Sequence, residues 1–172
     1  MRRGTFFILP AALFLLGAGC LSPTNPPEEP PAPDSPLGLL QAFEWCYDHQ
    51  DEALYAEILD PDFTGHLDGE EGGEIWGRDE ELARFAELCA ACDEGDIDLD
   101  LDFSECGDIE PDPGDAEFRI NNVVYTLRVV TWWDETVYLL VGRAYFHTVK
   151  NLGDGPRWRL LELRGFERPD LP

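Results

Sequence analysis

The sequence predicts an α+β fold: three helices first, then an antiparallel sheet. Three observations carry this. Up to Cys92, apolar residues recur at helical spacing. After Gly95 the period drops from 3.6 to 2. The alternating runs that follow are long and are divided by turn residues at Asp134-Glu135 and Gly153-Asp154-Gly155-Pro156. Helices followed by a strand meander is the α+β order.

Each element has its own signal. From Leu37 to Gln50, Leu39, Leu40, Ala42, Phe43, Cys46 and Tyr47 share one arc of a helical wheel, with Gln41, Glu44 and Asp48 opposite. A shorter helix, Asp51 to Leu59, ends at Asp60-Pro61, because the residue before a proline is driven out of the helical region. Phe63 to Leu67 is a short strand, and Asp68 to Gly73 a loop of acids and glycines. Ile75-Trp76-Gly77 leads into a third helix from Asp79 to Cys92, with Asp79 as N-cap and Glu80 and Glu81 at the positive end of the dipole. Strands are expected at Ile97–Phe103, Phe118–Trp133, Thr136–Val149 and Arg157–Phe166. The two longest carry apolar residues on both faces, which predicts cover on part of the second face.

Four short stretches then resemble one family. They are Leu40-Gln41-Ala42-Phe43 in the first helix, Leu59-Asp60-Pro61-Asp62-Phe63 after the second, Gly77-Arg78-Asp79-Glu80-Glu81-Leu82-Ala83-Arg84-Phe85 at the third, and Trp158-Arg159-Leu160 in the last strand. In this order they resemble the nuclear transport factor 2-like superfamily, which includes ketosteroid isomerases and polyketide cyclase-like proteins. The resemblance covers Pro36 to Glu167 and implies a curved antiparallel sheet wrapped around the helices as a cone with a pocket.

The N-terminus reads as an address. Met1-Arg2-Arg3 is basic, Phe6 to Leu16 is apolar, and Leu16-Gly17-Ala18-Gly19-Cys20 closes with small residues. The apolar run is too short to span a bilayer, which takes about 20 residues. The pattern resembles a bacterial lipoprotein signal, which implies cleavage before Cys20, lipidation of that cysteine and a location in the cell envelope. Leu21 and Ser22 do not resemble the aspartate signal that holds such proteins at the inner membrane in enteric bacteria, which points to the outer membrane in a Gram-negative cell. Residues 20–36 then form a tether rich in proline, favouring extended polyproline geometry. The expected organisation is a signal over 1–19, lipidated cysteine and tether over 20–36, one domain over 37–168, and a tail over 169–172.

The formal charge is −24. A surface this acidic repels nucleic acid and anionic headgroups, so neither is an expected partner beyond the lipid anchor itself. The alternation Asp96, Asp98, Asp100, Asp102 raises the question of a metal site. Residues two apart on a strand lie about 7 Å apart on one face, so four of them do not converge on one calcium ion, which takes oxygens at about 2.3–2.6 Å. The expectation is a solvated face, with Ile97, Leu99, Leu101 and Phe103 turned to the core and Arg128, Arg143, Arg159 or Arg164 available for cross-strand pairing. No metal or cofactor is expected.

With Cys20 assigned to lipid, an even number of cysteines remains: Cys46, Cys89, Cys92 and Cys106. An envelope location permits disulfides. Cys46 bonded to Cys89 or Cys92 is one reading, free buried thiols the other. The Cys89-Ala-Ala-Cys92 pair ends a helix, away from the N-terminal position that activates thiols. Cys92 and Cys106 are held apart by an extended strand.

The resembling enzymes keep a carboxylate base, or a histidine–aspartate pair, in an apolar pocket. Here His66 and Asp68, two apart, stand near the matching position, with Tyr47 or Tyr55 as a hydrogen-bond donor. The acids and glycines after Asp68 resemble an open loop more than a dry pocket wall. His147 is expected to be satisfied within the sheet. Pocket-lining candidates are Phe43, Tyr47, Trp76, Trp132, Phe146 and Trp158, with Trp133 also available. Three functions follow: a non-catalytic envelope domain binding a small apolar ligand or a peptide, an interaction module pairing through its sheet face as a homodimer or with another protein, or a pocket enzyme of isomerase, dehydratase or cyclase type using His66 and Asp68. The balance leans away from the enzyme.

Overall fold

The computed structural model describes residues 29–67, 73–95, 97–105, 109–111, 117–133, 135–151 and 158–166. Cys20, Asp68, Asp96 and Cys106 lie outside them.

The first helix, α1 (Pro36–His49), starts with Ser35, whose Oγ accepts from the Gly38 N–H at 3.0 Å, and with Pro36 in the first turn. It stops where Gln50 turns left-handed, φ 51°, and returns its N–H to the Cys46 carbonyl. Helix α2 (Glu52–Ile58) is capped by Asp51, which accepts from the Leu54 N–H at 3.0 Å. Helix α3 (Arg78–Asp93) begins one residue earlier than expected. Gly77 takes the N-cap position with no side-chain bond, and Asp79 sits inside the first turn with Glu80 and Glu81. Arg78 is drawn into the helix as its guanidinium donates to the Ala56 carbonyl on α2 at 2.8 Å.

The strands are β1 (Leu59–Leu67), β2 (Glu74–Gly77), β3 (Ile97–Glu105), β4 (Ile109–Pro111), β5 (Glu117–Thr131), β6 (Thr136–Lys150) and β7 (Trp158–Arg164). Their order is β2-β1-β7-β6-β5-β3, with β4 also on β5. The sheet is mixed, where an antiparallel one was expected, because β1 runs parallel to β7. These strands are far apart in the chain and share no hairpin, so nothing local dictates their relative direction. Strand β1 also starts four residues early, through Pro61, and its register against β7 shifts between Leu59 and Thr64. Two strands were not foreseen. Glu74–Gly77, read as a lead-in to the third helix, pairs with β1, and three-residue β4 is too short to carry a period. Strand β5 ends at Thr131, so Trp132 and Trp133 belong to the hairpin turn, with Glu135 at φ 55°.

The helices pack on one sheet face: α1 against β3 and β7, α2 against β1 and β7, α3 against β1, β2 and β3. That inner face is recorded in the burial. On β3, Ile97, Leu99 and Leu101 are buried and Asp98, Asp100 and Asp102 exposed. On β5 the inward set jumps from Ile120 to Val123, then runs Tyr125, Leu127, Val129. The jump is a bulge at Asn122, φ 52°, which resets the alternation. Among the described residues no helix covers the outer face of β6, where Val137, Leu139 and Val141 are 54%, 62% and 63% exposed; of the cover expected from helices, tails or a partner, only the helices are placed here, on the other face.

Candidate functional site

The interior is occupied by aromatic side chains. Phe43 is within ring-contact distance of Tyr47, Tyr55, Phe103, Phe146 and Phe166, and Tyr55 stacks on Phe85 at 3.9 Å between centroids. Of the expected pocket lining, Phe43, Tyr47, Trp76, Phe146 and Trp158 are at most 6% exposed and belong to the packed core. Trp132 is 60% exposed at the β5–β6 turn and lines nothing inside. Aromatic residues line pockets and fill cores with equal ease, and composition does not separate the two uses.

One carboxylate lies within this core. Glu81, fully buried, accepts from the Tyr55 hydroxyl and, at 2.6 Å, from the Trp76 indole N–H. This network ties α2, β2 and α3 together. It depends on Gly65 of β1, because a Cβ there would come within 2.2 Å of the Trp76 ring. Arg84 closes the outside, 4.8 Å over the Trp76 ring and paired with Glu74 and Glu80. Tyr55 is therefore committed to Glu81, on the inner side of the sheet.

His66 faces the other way. Phe63 and Gly65 of β1 are buried inward, so Thr64 and His66 point to the outer face. There His66 Nε2 lies 3.1 Å from Glu162 Oε1 on β7. Its carboxylate partner is thus Glu162, nearly a hundred positions along the chain. Glu162 is the centre of a ladder across four strands. Arg164 donates to its Oε1 at 2.6 and 2.7 Å, and His147 Nδ1 lies 3.7 Å from Oε2. The second His147 nitrogen, Nε2, meets Glu117 on β5 at 2.9 Å. His147 is satisfied within the sheet, as expected. Beside the ladder is an open cavity of about 330 Å³, bordered by Arg119, Asn121, Tyr145, His147, Glu162 and Arg164. Phe146 also borders it while its ring packs inward on Phe103. Sequence reading missed Glu117, Arg119 and Glu162. Their signal was the alternation of polar with apolar residues, but only the register Arg119–His147–Glu162 lines them up.

A second electrostatic feature joins α1 to the β3 edge. Asp48 accepts from the Leu101 N–H at 2.9 Å, and Glu44 accepts from the Phe103 backbone. The two carboxylates, one helical turn apart, satisfy alternate donors of an edge strand. Burial first, then Asp48, Asp102 and Asp100, raise the Glu44 pKa from 4.5 to about 7. Burial first, with Asp100 and Asp102 adding and the Leu101 bond opposing, raises Asp48 from 3.8 to about 6. The β3 aspartates stand across from Val130, Arg128 and Thr126, and no ion pair joins Asp100 to Arg128. Among the described residues no group of three metal-ligating side chains converges.

Cys46, Cys89 and Cys92 are free thiols here. Cys46 and Cys89 are buried, and burial is the leading cause that pushes all three up, Cys89 to about 12 and Cys92 to about 11.

The fold recurs in solved structures. A nuclear transport factor 2-like superfamily protein from Salmonella enterica is similar over 73% of this chain and 83% of its own, at 15% identity and TM-score 0.53. A ketosteroid isomerase-like protein from Erwinia carotovora matches over 74% and 89%, at 12% identity and TM-score 0.52. A calcium/calmodulin-dependent protein kinase II association domain from Xanthomonas campestris matches over 78% and 86%, at 13% identity and TM-score 0.56.

The chain has the nuclear transport factor 2-like fold.

At these identities the likeness is one of fold, which hosts many functions. No family profile matches the chain, and no curated protein does. The function of this nuclear transport factor 2-like domain has to be argued from its own surfaces.

Proposed function

We propose that this chain is a non-catalytic, lipid-anchored envelope domain that pairs with a second copy of itself through the outer sheet face. The observation that carries this reading is the exposed apolar column Val137, Leu139 and Val141 on β6. Contiguous apolar surface of this kind marks interaction sites. The charges beside it favour a second copy. At the height of the column stand Asp98, Asp100 and Asp102 on β3, and just beyond it on β6 stands Arg143. In a self-complementary pair the aspartates of each copy are free to meet Arg143 of the other. The family's curved, cone-shaped sheet suits such face-to-face pairing.

A small apolar ligand in the cone has less support, since the residues expected to line it are packed against one another. The enzyme reading also has less support, because His66 faces outward and pairs with Glu162.

Sedimentation of the detergent-solubilised full chain tests the pairing. A dimer that Leu139→Asp or Val141→Glu converts to a folded monomer is expected, and a monomer at high micromolar concentration overturns the reading. Cys20→Ala is expected to move the protein out of the membrane fraction. Unchanged membrane association of that variant overturns the anchor.

A further inference from the structure

We infer that the outer-face cavity between β5, β6 and β7 is a binding site for a small organic or inorganic anion, a carboxylate or a phosphate, held by Arg119 and Arg164. Its donors are concentrated against the trend of the whole molecule. The chain carries 36 acidic and 12 basic residues, yet two arginines, a histidine, an amide and a phenol border this one cavity, against a single carboxylate, Glu162, which is occupied by Arg164 and His66.

The donors are held in place by two carboxylates, Glu162, which itself borders the cavity, and Glu117 on β5. Arg164 is fixed on one edge by Glu162, which takes bonds from both Nε and a terminal nitrogen. The far side of the guanidinium remains for a ligand. His147 is held between Glu117 and Glu162. Arg119 stands next to His147 in register, and none of the ion pairs among the described side chains involves it. The bulge at Asn122 turns this end of β5, and the Asn122 side chain accepts from the Tyr145 hydroxyl at 3.3 Å. A bulge is a common device for aiming side chains at a ligand. Fixed guanidinium groups match the paired oxygens of carboxylate and phosphate.

The volume, about 330 Å³, suits a small metabolite-sized ion and is too small for a polymer segment. The site also stands apart from the proposed pairing surface. Leu139 and His147 are eight residues apart on one strand, a separation of about 27 Å.

The test is calorimetric and thermal-shift titration of the full chain with sodium phosphate and with sodium acetate or succinate. Sodium chloride at matched ionic strength corrects for screening of the acidic surface. Saturable binding of at least one anion class is expected, and the class that binds names the ligand chemistry. Arg119→Gln is expected to weaken it about tenfold or more, the scale of one lost charged hydrogen bond. Arg119→Lys, which keeps the charge and loses the fork, is expected to fall between. Arg128→Gln, on the same face toward the hairpin, is expected to leave binding unchanged. No saturation beyond the chloride control, equal loss in Arg128→Gln, or full binding in a folded Arg119→Gln chain overturns the proposal.

Discussion

Glu44 and Asp48 predict that this domain loses stability between weakly acidic and weakly alkaline pH. Both carboxylates bind protons more tightly folded than unfolded, so the folded state is favoured by protonation. Their stabilising contribution is full below the ordinary values of 4.5 and 3.8 and is lost as pH rises through about 7 and 6. Without discount, the rise of Glu44 from 4.5 to about 7 corresponds to about 3.4 kcal/mol, and that of Asp48 to about 3 kcal/mol. Glu44 is half-buried, Asp48 is exposed, and the two share the same neighbours, so solvent screening and non-additivity reduce the joint effect to roughly 1–2 kcal/mol. The variant Glu44→Gln/Asp48→Asn keeps carbonyl acceptors for the Leu101 and Phe103 N–H groups and removes the charges that oppose Asp100 and Asp102. It should melt about 3–6 °C above the parent at about pH 8 and no higher than the parent at about pH 4. Thermal denaturation at constant ionic strength measures this. Asp62→Asn, an exposed acid on β1, controls for general relief of the negative charge. Parallel melting curves across the range, or an equal gain in Asp62→Asn, would refute the reasoning.

Further outcomes follow from the core and the thiols. Glu81→Ala leaves the Trp76 and Tyr55 donors without their acceptor and is expected to cost about 2–5 kcal/mol in urea unfolding, with Glu81→Gln costing less. Gly65→Ala drives a methyl group into the Trp76 indole and should cost about 1–3 kcal/mol, with a change in tryptophan fluorescence. Cys46 and Cys89 should resist alkylation in the folded protein at about pH 8, and Cys92 should react first, because burial holds all three protonated. His66→Asn should leave the fold intact and produce no loss in a catalytic screen with keto-steroid or hydroxy-ketone substrates, as expected of a side chain on the outer ladder.

The helices and the β3 alternation were legible in the chain because their causes are local. Ser35, Pro36 and Gln50 frame α1 within a few residues of the bonds they make, and the one-in-two pattern from Ile97 to Asp102 follows from the pleat alone. The sequence also determined the acidic surface and the three-helix, sheet-last order. Tertiary structure decided what faces what. The parallel pairing of β1 with β7 depends on strands that no short turn connects. The bulge at Asn122 shifts which β5 residues point inward, and no period within the strand reveals it. The sequence reading set His66 beside Asp68, which lies outside the described residues; the carboxylate that the sheet brings to His66 is Glu162, because the partner of a strand side chain lies across the register as well as along the chain. The same aromatic residues that suggested an open pocket close it here: whether rings line a space or fill it is set by how near the helices come to the sheet.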